Sequence, residues 1–340
     1  MSVAPPANQR VASTLPVRAS SVDIDGLGTS VAIVLPAFNE ELTIAETVLE
    51  FHRALPGASI VVVDNNSTDN TRGRALEALA QIGAQGLLLD ERRQGKGHAV
   101  RRAFRCIVAD VYVLADADLT YPGRQVMELI RPVVDDQVDM MVGNRLAGGR
   151  YAAENKRRLH GFGNRLILTM VNRLFRAHLG DIMSGYRAVS SSFVAGYPML
   201  AAGFELETDM TLHALDKRFR VAEVPIDYRD RPMGSVSKLR TFQDGRRVLS
   251  TIIQLVRYYR PLLFFGTAAT VLGLAGLLAA LPVISDWFSY HYIYHLPLAV
   301  LATGLEITAL MSLGIGLILD SVVHMERLAY ERDLLGRRPR

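Results

Sequence analysis

From Pro261 to Ser285 the chain carries no charged residue, and Leu262–Leu281 is almost entirely Leu, Ala, Gly, Phe and Val. A helix needs about 20 such residues to cross a hydrocarbon core of roughly 30 Å. A second run, Leu296–Leu319, is interrupted only by Glu306. Either run alone could be the buried helix of a soluble domain; two in tandem predict a membrane hairpin. The connecting segment, Asp286–His295, has no Lys or Arg. Arg240, Arg246, Arg247, Arg257 and Arg260 precede the first run, and Arg327, Arg332, Arg337, Arg338 and Arg340 follow the second. Basic residues stay on the cytoplasmic side. The expected protein is therefore integral to the cell membrane, with its body and both termini in the cytoplasm. Glu306 needs a partner at that depth: Thr267 or Thr270 of the first run, or a neighbouring subunit, which makes a homo-oligomer one expectation.

What precedes the spans reads differently. Residues 1–29 have Pro and Ser scattered through them, no apolar periodicity and no apolar core long enough for a signal peptide. They read as a disordered N-terminal extension. Within 30–240, the short apolar runs Val31–Leu35, Ile60–Val63, Leu87–Leu89, Val111–Leu114 and Val138–Val142 alternate with helical spacing in Glu41–Leu55, Asp69–Ile82, Lys96–Ala109 and Gly123–Asp135. That alternation predicts an α/β fold, a mostly parallel sheet with helices on both faces. Ligands of such sheets bind beyond the carboxyl ends of the strands. In 241–260, Phe242, Val248, Leu249, Ile252, Ile253 and Val256 recur at helical spacing with Arg246, Arg247 and Arg257 between them. This is either an amphipathic helix on the cytoplasmic leaflet or a core-packed one, and the former is expected. The two transmembrane helices then fall in 261–320, and 321–340 is a basic cytoplasmic tail. The single cysteine, Cys106, excludes an internal disulfide. The net charge of +4 is modest and its basic residues flank the spans, so no nucleic-acid partner is expected.

Polar residues gather at the expected strand ends. The first strand ends in Pro36-Ala37-Phe38-Asn39-Glu40, the second in Asp64-Asn65-Asn66-Ser67-Thr68-Asp69, and the fourth in Asp116-Ala117-Asp118. Each alone could be a turn with a helix cap, for which Ser67 and Thr68 are good residues. Three acidic or amide clusters on one sheet edge point instead to a ligand. Asp116 and Asp118 close an apolar strand with no basic residue near them in sequence. Two close carboxylates need a cation to offset their repulsion, and Mg²⁺ or Mn²⁺ bound to a diphosphate supplies it.

Those residues, with Gly95-Lys96-Gly97, Gly143-Asn144-Arg145, Asp181, Ser184-Gly185-Tyr186-Arg187, Phe204-Glu205 and the stretch Arg231 to Lys238, occur in an order that resembles the family 2 glycosyltransferases of GT-A fold. The resemblance spans about residues 30–240 and is nearest to the membrane-anchored polyprenyl-phosphate (dolichyl-phosphate) hexose synthases. It implies that Pro36, Phe38, Glu40 and Asp64 hold the base and ribose of a nucleotide sugar and that Lys96 approaches the nucleotide. The spacing around Lys96 is not that of a P-loop. It further implies that Asp116 and Asp118 serve ribose and metal, that Arg145 contacts the diphosphate, and that the Lys156-Arg157-Arg158 cluster with Arg231 and Lys238 takes the acceptor phosphate. Asp118, Arg145 and Arg231 would carry catalysis. The basic cluster can also be a solvated helix face, Arg231 to Lys238 a basic interdomain linker, and Arg187 a structural ion-pair partner. Three positions depart from the family pattern. Thr120 stands where relatives often have a metal-assisting Gln, Asp64-Asn65-Asn66-Ser67 replaces the commoner Asp-Asp-Gly-Ser, and His160 stands where many have Ser near the acceptor phosphate.

The resemblance implies transfer of a hexose from a nucleotide sugar, UDP-hexose favoured over GDP-mannose, to a polyprenyl phosphate in contact with membrane lipid. A phosphate monoester is largely a dianion at pH 7 and needs no strong base, so direct displacement would invert the anomeric centre. Two alternatives stay open: a glycosyltransferase acting on another membrane lipid acceptor, and a scaffold that binds nucleotide sugar without catalysis. The scaffold would be expected to have lost Asp116 or Asp118, which are both present. A processive polysaccharide synthase is disfavoured, since it needs Gln-x-x-Arg-Trp and the only tryptophan is Trp287, between the spans.

Overall fold

Every residue of Val31–Leu35 is completely buried, as a strand with no polar alternation must be when both sheet faces are covered. In the computed structural model, which describes residues 16–24, 27–147, 158–199, 206–229 and 253–336, this run is the middle of strand β3 (Leu27–Ala37). Around it lie β4 (Ser59–Asp64), β5 (Gly86–Asp90), β7 (Val111–Leu114), β8 (Met140–Asn144), β9 (Arg187–Ser190) and β10 (Val221–Pro225), in the order β10-β8-β9-β7-β3-β4-β5. Only β9, between β7 and β8, runs against the others along that path. The carboxyl ends of the parallel strands and the amino end of β9 therefore share one edge.

The pleat divides the core in two. Val31, Ile33 and Leu35 face helices α1 (Ile44–Ala54), α2 (Thr71–Ile82) and α4 (Val126–Val134), through residues such as Phe51, Leu79 and Leu129. Ala32 and Val34 face α3 (Lys96–Cys106) and the helix Leu206–Asp216, through Val100, Ala103 and Met210. Cys106 is a buried thiol in this second core.

Three boundaries differ from the sequence reading. Part of the stretch assigned to a disordered extension is ordered: β1 (Val17–Arg18) pairs with β6 (Ile107–Val108), and β2 (Ser21–Ile24) pairs antiparallel with the start of β3. The reason is the alternation Ser21-Val22-Asp23-Ile24, which buries Val22 and Ile24 but is too short to register as a period. Strands β9 and β10 are short and were not anticipated. The helix of the second span also continues through Gly336, past the expected start of a tail at 321, because nothing in Ser321–Leu335 breaks a helix.

The chain divides into two compact units, Met1–Leu239 and Arg240–Arg340. In the second, the helices Pro261–Tyr290 and Leu296–Gly336 are long and apolar enough to cross a membrane. Their turn is closed by Asp286, whose Oδ2 accepts hydrogen bonds from the backbone N–H of Tyr294 (2.9 Å) and His295 (3.1 Å) and lies 2.8 Å from His295 Nδ1. Of the proposed interfacial helix, residues 253–259 are helical; the rest lies outside the described residues. Glu306 does not use the threonines expected of it. Thr267 and Thr270 donate to the carbonyls of Phe264 and Gly266 in their own helix. The Glu306 carboxylate instead lies over Gly276, where an added Cβ would stand 2.7 Å from its Oε1. Gly276→Val should lower the unfolding midpoint in detergent, consistent with an overpacking cost of about 1–3 kcal/mol. Adding Glu306→Ala should recover most of the loss, followed by circular dichroism.

Candidate active site

The shared strand edge collects most of the residues singled out from the sequence. Pro36 is the penultimate residue of β3, with Phe38 and Glu40 half-buried just beyond the strand. Asp64 ends β4 and is buried. Asp116 and Asp118 follow β7, Asn144 ends β8 with Arg145 next to it, and Gly185 precedes β9. Arg157, Arg231 and Lys238 lie outside the described residues, as does Glu205, and of His160 only its place in the helix Arg158–Phe175 is described.

Lys96 is the centre of this edge. Its ammonium donates to Asp116 Oδ1 and, at 2.5 Å, to Glu207 Oε1. Burial by itself would lower the Lys96 pKa, but the two carboxylates outweigh it and hold the ammonium above its ordinary value. The basic partner that Asp116 lacks in the local sequence thus comes from the start of α3. Gly185 makes the contact possible: a Cβ there would fall 2.9 Å from Lys96 Nζ and 3.0 Å from Asp116 Oδ2. Its N–H donates to Tyr121 Oη at 2.9 Å, and burial raises the Tyr121 pKa, keeping the phenol neutral.

Asp118 is 2% exposed, and its Oδ1 accepts from the hydroxyl (2.5 Å) and backbone N–H (3.2 Å) of Thr120. Thr120 thus fixes the carboxylate's rotamer. The turn between them places Leu119 at φ 61°, a left-handed conformation costly for a branched side chain; such strain gathers at functional sites.

The amide at position 65 organises the loop that carries Lys96. Asn65 Nδ2 donates to the carbonyls of Glu91 (3.2 Å) and Arg93 (2.6 Å), while its Oδ1 accepts from Gly95 N–H at 2.7 Å. Gly95 adopts φ 133°, a conformation natural to glycine, and turns the chain into α3. In the same loop the Arg93 side chain, hydrogen-bonded to Glu91, draws that carboxyl down to about 2.

Arg145 is gripped by Asp181, through Nε at 2.7 Å and Nη2 at 3.0 Å, and lies over the Tyr228 ring, 5.6 Å from its centroid. Glu223 organises that loop, accepting from Asn144 Nδ2 (2.8 Å), Gly180 N–H (2.7 Å) and Asp181 N–H (2.8 Å). Arg187, completely buried, donates to the carbonyls of Ser184 and Ile182 and to Thr211 Oγ1, each at 2.7 Å. Its role here is structural, joining the Gly185 loop to the helix that bears Glu207.

The edge also tests the expected metal. Among the described residues no cluster of three or more His, Cys, Asp or Glu side chains could hold an ion. Two carboxylates at one strand end would suit a cation that takes its remaining oxygens from a phosphate ligand and water, and Asp116 and Asp118 are the residues that would hold it.

Known proteins place this geometry in a family. The Glycosyl transferase family 2 profile matches residues 32–195. Polyprenol monophosphomannose synthase of Mycolicibacterium smegmatis is 30% identical over 219 residues, 61% of this chain and 80% of that protein. The chain belongs to glycosyltransferase family 2. Another relative, Glycosyltransferase AglJ of Haloferax volcanii, is 29% identical over 304 residues, 89% of this chain and 97% of that protein. In fold, the chain is similar to glucosyl-3-phosphoglycerate synthase of Mycobacterium tuberculosis, solved with Mn²⁺, UDP-glucose and phosphoglyceric acid. That likeness has a TM-score of 0.52 at 22% identity, covering 67% of this chain and 80% of that one. The protein is thus a glycosyltransferase with a GT-A-like sheet domain and two long apolar C-terminal helices.

Glu207 and the Asn65 bridge were missed from sequence. The only local signal at Glu207 is acidic residues opening a helix, which reads equally well as complementing the helix dipole. Asn65 offers a sharper test. An aspartate there cannot donate and would set a carboxylate against two carbonyls. Asn65→Asp should cost about 1–3 kcal/mol at pH 8, read as a lower unfolding midpoint, and should raise the nucleotide Kd measured by calorimetry.

Proposed function

We propose that this glycosyltransferase moves a hexose from a nucleotide-diphosphate sugar to a polyprenyl phosphate at the cytoplasmic membrane face, with inversion at the anomeric carbon. The observation that carries the reading is the strand edge itself: Asp64, Lys96, Asp116, Asp118 and Arg145 collect where a nucleotide diphosphate binds such sheets. The acceptor is supported by the helices long and apolar enough to cross a membrane and by relatives named for polyprenol and dolichol phosphates. A UDP-hexose is the favoured donor, and the relatives named for mannose make GDP-mannose the alternative.

Each residue then has a task. Pro36, Phe38, Glu40 and Asp64 form the nucleoside end. Asp116 and Asp118 would hold Mg²⁺ or Mn²⁺, which supplies charge neutralisation to the departing diphosphate. Lys96 adds a fixed positive charge beside Asp116, and Arg145, oriented by Asp181, presents its planar fork to phosphate oxygens. The acceptor phosphate, a dianion, is the nucleophile and needs positioning more than deprotonation. Arg157, His160, Arg231 and Lys238 are proposed to hold it. Inversion follows from one in-line displacement.

Asp118→Asn removes a ligand charge and keeps the shape of the turn. Transfer from a panel of UDP- and GDP-hexoses to polyprenyl phosphate should fall roughly 10²–10³-fold while the unfolding midpoint barely moves. EDTA should do the same to the wild type; full activity in EDTA would remove the cation from the reading. Topology is tested separately in a Cys106→Ser background. Tyr290→Cys should react with an impermeant maleimide from outside intact cells, and Leu335→Cys only after lysis. The opposite pattern would put the sheet domain on the wrong side.

A further inference from the structure

Lys96 sits between two carboxylates that differ in accessibility and anchorage. The Asp116 side chain is 30% exposed and sits on the loop after β7; Glu207 is 9% exposed and lies in the first turn of a helix. That helix is tied down locally. The Glu207 carbonyl accepts from Thr211 Oγ1 at 2.9 Å, and the same hydroxyl accepts from the buried Arg187 guanidinium. The Gly185 loop, itself held by Arg187 and Tyr121, lies against the ammonium, so close that a Cβ at position 185 would stand 2.9 Å from Lys96 Nζ. Of the two carboxylates, Asp116 is the one a ligand can reach and Glu207 the one that stays.

The charges create a conflict. Asp116, Asp118 and Glu207 outnumber the Lys96 ammonium and the buried Arg187 guanidinium, which acts electrostatically on Glu207, and the remaining negative charge favours a cation. Yet Asp116 is engaged by Lys96. An ammonium with a single carboxylate partner would remain on it and compete with the cation for the same oxygens. With a second partner already in contact, Asp116 can turn to the cation without leaving Lys96 buried and unpaired.

We propose that Glu207 is a positioning residue that retains Lys96 when Asp116 takes up a divalent cation carried by the nucleotide diphosphate. Lys96 then remains charged and in place beside the diphosphate, and Asp116 serves the cation. The inference rests on the cation reading given above and goes beyond it by assigning the exchange of partners.

Mn²⁺ binding to the full-length protein in detergent, at saturating UDP, tests it by electron paramagnetic resonance, without any turnover. Glu207→Gln should weaken Mn²⁺ binding about 10–100-fold, the range for residues that orient metal ligands. Lys96→Met in the Glu207→Gln background should recover most of that affinity, because no ammonium then competes for Asp116. A merely structural Glu207 would not be rescued by removing a second charge. Unaltered Mn²⁺ affinity in Glu207→Gln overturns the proposal, as does a double variant as weak as Glu207→Gln alone. If the wild type with UDP takes up no Mn²⁺ at all, the cation reading itself falls and the partner exchange with it.

Discussion

One ammonium, that of Lys96, lets the acidic strand edge exist. Asp116 and Glu207 meet where the sheet ends, with Asp118 two residues beyond Asp116, and a carboxylate that is neither solvated nor paired there would protonate or push the chain apart. Lys96 answers two of the three, and the hydroxyl and N–H of Thr120 answer the third. The surrounding loops serve this arrangement. Asn65 bridges the chain that leads into Lys96, and Gly185 withholds a side chain from the space where ammonium and carboxylate meet.

Around that centre the fold uses buried polar hubs in place of regular structure. Arg187 satisfies two loop carbonyls and a helix hydroxyl from inside the core. Burial lowers its pKa, yet a guanidinium begins so high that it stays charged. Glu223 does the equivalent for backbone N–H groups under Arg145. Loops beyond strand ends have no ladder to occupy their backbone groups. A single multivalent side chain in the core holds such a loop without adding another element, and leaves its outer face to meet a ligand. The helical unit follows the same economy, with Glu306 laid over Gly276 and the turn gathered on Asp286.

The departures from the family pattern have physical accounts of different kinds. Asn65 is an amide because its position requires donation and acceptance at once, which a carboxylate cannot provide. The Thr120 hydroxyl donates to Asp118, two residues away, so it orients that carboxylate. The shorter side chain thus does local work where a longer one could have reached toward a ligand.

By itself the sequence determined the class of fold and the two apolar helices, and it pointed to one strand edge as the candidate site. Each is written in local pattern: Val31–Leu35 without alternation, Asp116-Ala117-Asp118 at a strand end, and runs long enough to cross a bilayer. It also named Asp64, Lys96, Asp116, Asp118 and Arg145, because their motifs are short and ordered. Tertiary structure alone decided who neutralises whom. Lys96 meets Asp116 from 20 residues away and Glu207 from 111, and Arg229 reaches Glu50 across 179. No window along the chain encodes such pairs, since electrostatic partners are chosen by distance in space after the strands have ordered. The ordered segment Val17–Ile24 and the antiparallel β9 belong with them: their few residues mix polar and apolar side chains with no apolar run to announce a strand, and only a neighbouring strand's unpaired backbone makes them one.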